Sequence, residues 1–113
     1  MQRVLTKKAA AELRRTQEEA ALRQNILDRC VEHGFQCRFI YQSIIITTPL
    51  SDWCFDYHTP KKTLYHENTT KINFITGDYA KAHIQFRDRR MTPIEVIDYI
   101  AGHDLRKAAQ VRQ

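Results

Sequence analysis

Only three of the 113 residues are glycine. That leaves little room for a Gly-rich phosphate loop or a dinucleotide fingerprint, and no Gly-x-Ser-x-Gly elbow is present. Cysteine is equally scarce. Cys30, Cys37 and Cys54 are an odd, widely spaced set with no Cys-x-x-Cys pair and no zinc-finger spacing, so they read as reduced core thiols. Cys30 and Cys37 flank Gly34 and can bridge only if a turn brings them together. Long apolar runs are missing too. The longest, Ile44-Ile45-Ile46, is strand-sized and far below the roughly 18 residues of a membrane span. The N-terminus is Ala, Lys, Arg and Glu in place of the apolar segment of a secretory signal, so the expectation is a cytoplasmic protein without membrane contact.

What is present is the composition of one soluble domain, 42% hydrophobic and 27% charged. The net charge of +5 is uneven. Residues 1–24 carry six Lys/Arg against three acids, and residues 105–113 carry three Lys/Arg and no acid. The body, 25–104, is nearly neutral. The chain therefore divides into a basic, Ala-rich helical arm over 1–24, an α+β domain over 25–104, and a basic frayed tail over 105–113. Basic ends suit phosphate, because charge neutralisation gives sequence-independent affinity.

Residues 4–32 read as one long helix of strong helix formers, ended by Gly34 as a left-handed cap. Leu22, Ile26, Cys30, Leu27 and Val31 supply its expected core face. Upstream, Leu5, Ala9, Leu13 and Ala20 make only a thin seam, so the first half is expected to project or pair with another helix.

From Phe35 the pattern turns to β. Phe35–Tyr41, Ser43–Thr48, Trp53–His58 and Thr63–Asn68 predict strands, as does Tyr79–Phe86, with a shorter candidate at 72–75. In Tyr79–Phe86 strict alternation predicts Ala80, Ala82, Ile84 and Phe86 facing a core and Tyr79, Lys81, His83 and Gln85 opposite. Thr92-Pro93-Ile94-Glu95 is a helix start with a capping box, and Gly102 is its expected stop. The fold prediction is α+β: a long N-terminal helix, an antiparallel meander of four or five strands, and a C-terminal helix packed on one sheet face as a two-layer sandwich.

The chemistry centres on the last strand. Tyr79, Lys81, His83, Gln85, Arg87, Arg89 and Arg90 form a polar and basic run suited to nucleic acid, the leading expectation for a small non-enzymatic binding protein. A protein-interaction adaptor, joined to a partner or a second copy through the N-terminal helix, is the alternative. Metal chemistry is weighed on His58, His66, Glu67, His83 and His103. His66 and His83 can share a face only if their strands are neighbours. Cys54, Asp56 and His58 share a strand face without making a nucleophile–base pair.

His83-Ile84-Gln85, Ile44–Pro49 and Val96–Ile100 together resemble the motifs of rolling-circle replication initiators and relaxases. That resemblance implies a divalent metal held by His83 and Gln85, with Tyr99 as the nucleophile that nicks single-stranded DNA. The turn after Tyr99, Ile100-Ala101-Gly102-His103, lacks the lysine that the family places there.

Overall fold

The computed structural model describes residues 6–67 and 83–111. The elements in chain order are α1 (Lys7–Glu32), β1 (Gln36–Ile40), β2 (Ser43–Thr47), β3 (Asp52–Asp56), β4 (Lys61–Glu67), β5 (His83–Arg90) and α2 (Pro93–Val111). All neighbouring strands pair antiparallel, and their order across the sheet is their order along the chain. The α+β meander is thus as the sequence predicts. The candidate strand at 72–75 and the turn before Tyr79 lie outside the described residues.

One core unites both helices with one side of the strands. Ile26 and Cys30 of α1 meet Ile44, Ile46, Trp53, Phe55, Leu64 and Phe86 of the sheet and Val96, Ile97 and Ile100 of α2. Strand alternation sends the intervening residues the other way. Ile45 and Cys54 there form a second, smaller cluster with Ile40 and Tyr65.

Trp53, Phe55 and Tyr57 are all core, and Tyr57 also anchors α1. Its hydroxyl donates to Glu19 Oε1 at 2.9 Å and accepts from Arg23 Nε at 3.1 Å, while His58 Nε2 reaches the same Glu19 oxygen at 3.2 Å. Burial raises the Glu19 pKa. The Tyr57 hydrogen bond, His58 and Arg23 outweigh that and hold it below the usual carboxylate value.

Upstream of Glu19 no α1 side chain belongs to the core. The radius of gyration is 17.1 Å, against about 13 Å for a compact chain of this length, which fits a projecting arm. Leu27 and Val31 depart from expectation. They are 37% and 74% exposed, because the sheet takes the Leu22/Ile26/Cys30 stripe and turns theirs outward. Tyr41 departs likewise. It occupies the β1–β2 turn at φ 55° and is 93% exposed, outside the strand that the sequence extends to it.

The capping box of α2 forms as predicted. Glu95 N donates to Thr92 Oγ1 at 3.2 Å and Thr92 N donates to Glu95 Oε1 at 3.0 Å. The expected stop at Gly102 does not occur, and α2 runs on to Val111. Gly102 keeps a negative φ, and the Arg106 guanidinium lies 3.6 Å from where its Cβ would stand. Helical periodicity therefore continues from Ile97 and Ile100 to Asp104, which is buried on the core side.

Two register shifts mark β5. Leu64 pairs with Phe86 and the next residue, Tyr65, pairs with Ile84, so Gln85 is an inserted residue. Between Lys62↔Arg89 and Leu64↔Phe86 another residue is inserted, beside Asp88 at φ 51°. Strict alternation is broken as a result. Phe86 enters the core, whereas Ile84 pairs with Tyr65 of the second cluster.

Candidate functional site

The β4–β5 pairing settles whether two of the histidines meet. His66 and His83 are cross-strand partners, with ring centroids 6.5 Å apart. Because α2 continues past Gly102, a third histidine joins them. The His103 ring lies edge-on to His66 at 5.4 Å and to Trp53 at 5.0 Å.

His66 is the fixed member, only 2% exposed. Its ring stacks on cross-strand Trp53 with centroids 3.6 Å apart and planes 1° from parallel. Its Nε2 shares a hydrogen bond with Ser51 Oγ at 2.7 Å. The β2–β3 turn holds Ser51 in place. Thr48 Oγ1 accepts from the backbone N–H groups of Leu50 and Ser51, and Thr48 N donates to the Ser51 carbonyl. Burial first, then the nearby charges of His103, Lys107 and His83, push the His66 pKa down to about 4. His66 is therefore neutral at physiological pH.

Gln85 reaches α2 from its bulge. Its Nε2 donates to Tyr99 Oη at 2.9 Å, and the Tyr99 ring packs edge-on against Phe86 at 5.2 Å. Tyr99, His103, Lys107 and Gln110 recur every three or four residues, which puts them along one side of α2. Between that side and β5 lies an open cleft of about 350 Å³. Among the described residues its ionisable lining is His66, His83, His103, Arg106 and Lys107, with no carboxylate. An open, wet site with cationic and imidazole walls is suited to an anion.

Asp104 sits behind this wall. Among the described residues both its carboxylate oxygens are buried without a hydrogen-bond partner, as are Trp53 Nε1 and His103 Nδ1. The nearest ion-pair contact is His103 Nδ1 to Asp104 Oδ1 at 3.6 Å.

Farther along β5, Arg87, Arg89 and Arg90 are exposed, and the Arg89 guanidinium lies over the Phe86 ring at 4.7 Å. Cross-strand pairing sets Lys61 against Arg90 and Lys62 against Arg89. Like charges directly opposite are unfavourable in a sheet. Burial pushes the Lys62 ammonium below its usual pKa, and Asp56 offsets part of that.

Of the residues that the sequence singles out, His66, His83, Gln85, His103 and Tyr99 come together. Arg87, Arg89 and Arg90 extend the same strand, while Tyr79 and Lys81 lie outside the described residues. His58 belongs to the Glu19 anchor and lies apart from the cleft. Among the described residues no group of three or more His, Cys, Asp or Glu side chains is arranged to hold a metal ion. Cys54 is buried, and Asp56 Oδ1 accepts from the backbone N–H groups of His58 and Thr59, a turn-forming role.

Ser51 and Asp104 escape the sequence reading. Arg106 and Lys107 belong to the basic end 105–113, but only the helical spacing that persists beyond Gly102 could have put them on the cleft. The chain matches no family model, no curated protein and no solved structure. No helix among the described residues is long and apolar enough to cross a membrane.

Proposed function

We propose that the chain is a small nucleic-acid-binding protein that takes a single-stranded phosphodiester backbone along β5 and into the α2 cleft. The observation that carries this reading is the cleft lining, which among the described residues has imidazole, guanidinium and ammonium groups and no carboxylate. Arg87, Arg89 and Arg90, all exposed, continue the positive charge beyond it along β5. His83 and His103 add flat faces on which a base can stack.

Fluorescence anisotropy with labelled single strands over a salt series tests this. Affinity should fall steeply with salt. Arg106→Ala with Lys107→Ala should weaken binding and flatten the slope by about 0.7 for each phosphate that the variant leaves unneutralised. Absence of binding at low salt would sink the proposal.

The Gln85–Tyr99 hydrogen bond favours a second reading, metal-dependent nicking of single strands. It places the Tyr99 hydroxyl beside the His83-Ile84-Gln85 segment. Manganese-dependent cleavage abolished by Tyr99→Phe would establish it. Intact oligonucleotide after prolonged incubation would discard it.

A further inference from the structure

The outward stripe of α1 carries an inference independent of the cleft. Leu13, Ala20, Leu27 and Val31 recur at spacings of seven, seven and four, which puts them on one side of the helix. All four are exposed, Leu13 at 48% and Val31 at 74%. The helical repeat places Thr6, Ala9, Thr16, Gln17 and Gln24 beside them. Of the residues three or four positions from these four, Arg23 and Asp28 alone are charged, although Lys7–Glu32 contains eleven charged residues. Arg23 is engaged with Glu19 and Tyr57. Charge depletion around apolar residues marks the centre of a protein interface. The strip also points away from the Leu22/Ile26/Cys30 stripe that packs on the sheet.

We infer that this strip is the contact surface of an antiparallel homodimer, α1 against α1 of a second copy. Two features identify the occupant. The strip is close to self-complementary about Ala20: with the twofold axis there, Leu13 faces Leu27 of the other copy and Ala9 faces Val31. The small Ala20 side chains allow the helices to approach closely at the axis. The charge pattern sets the direction. Residues 7–18 hold four Lys/Arg against two acids, whereas 19–32 hold two Lys/Arg against three acids. Antiparallel pairing lays the positive half of each helix on the negative half of the other and brings Lys8 toward Glu32. Parallel pairing would superpose the two positive halves. The projecting arm of each copy thereby lies across the sheet-bound half of its partner, and both β5 clefts remain free.

Light scattering of the full chain, coupled to gel filtration, reads the association directly. The expected mass is twice 13.4 kDa, returning to the single-chain value in the Leu13→Glu, Leu27→Glu variant with an unchanged circular-dichroism spectrum. A single-chain mass for the unaltered protein at high micromolar concentration overturns the homodimer and leaves the strip to a different partner. Direction is read by mild oxidation in a Cys37→Ser background. Ala20→Cys should cross-link to itself. Leu13→Cys should not, because the two copies of residue 13 stand about 21 Å apart along the axis. Self-cross-linking of Leu13→Cys as fast as that of Ala20→Cys overturns the antiparallel arrangement. These measurements contain no nucleic acid, so their outcome is separate from that of the binding assay.

Discussion

The indole of Trp53 and the imidazole of His66 lie face to face, 3.6 Å apart and 1° from parallel. A protonated imidazole in that place would be a cation removed from water beside Lys107 and two further histidines. The folded His66 pKa of about 4 is below the ordinary histidine value, so the unfolded chain binds the extra proton first as pH falls. This contribution to stability is whole above about pH 6.5 and is lost as pH drops toward 4, to a total on the order of 3 kcal/mol. Thermal unfolding between pH 7 and 4 should show that decline, and His66→Phe should flatten it. A carbon-bound proton of His66 that titrates above pH 6 in NMR would refute it.

Asp104 offers a stability gain. Among the described residues its buried oxygens have no hydrogen-bond partner and only a long 3.6 Å contact to His103 Nδ1, so Asp104→Leu, which removes an unsatisfied buried acceptor, should stabilise the fold by on the order of 1–3 kcal/mol and raise Tm by several degrees. Differential scanning calorimetry checks this. A lower Tm would show that the carboxylate is satisfied in solution by a bound group.

The capping box of α2 should be worth about 1 kcal/mol. Thr92→Ala removes the acceptor for Glu95 N and should lower Tm by roughly 4–8 °C, whereas Thr92→Ser should leave it nearly unchanged. Equal losses in both variants would show that methyl packing, not capping, is the role of Thr92.

Thiol labelling should be ordered. Burial pushes the Cys30 thiol up to about 12, and proximity to Cys37 adds to that. Cys37 is partly exposed, and its hydrogen bond with Cys30 offsets part of the rise that burial causes. Cys37 should therefore react well before Cys30 with an alkylating reagent at pH 8. Mass spectrometry of peptides after timed quenching gives the order. Faster reaction at Cys30 would mean that α1 leaves the sheet on that timescale.

How much of this was legible in sequence differs by element. Thr92-Pro93-Ile94-Glu95 announces α2 because a capping box is wholly local chemistry. The alternation of Trp53, Phe55 and Tyr57 likewise identifies core strands, since one apolar face is all that a sheet packed on helices requires. The bulges at Gln85 and beside Asp88 were not legible. They arise from pairing with β4, and a strand's own alternation contains nothing about its partner's register. Gly102 misleads for a related reason, because a glycine marks a helix end only when the contacts beyond it do not hold the helix. Leu27 and Val31 mislead because α1 has two apolar stripes, and its sequence does not say which one the sheet will choose. The cleft depended on two of these, the α2 extension and the β5 bulge. His66, His83 and Tyr99 could therefore be named in advance but not assembled.

The strand order has a kinetic consequence. Each described strand pairs with the next described strand in the chain, so these strands can form hairpin by hairpin without the long crossover that a Greek key requires. Among the described strands the widest sequence separation between paired neighbours is that from β4 to β5, and α2 follows β5 after Met91 and Thr92. The last hairpin and its helix are therefore expected to dock together on a preformed three-hairpin scaffold. On that route the histidine cleft is the last part of the molecule to assemble and the first to open.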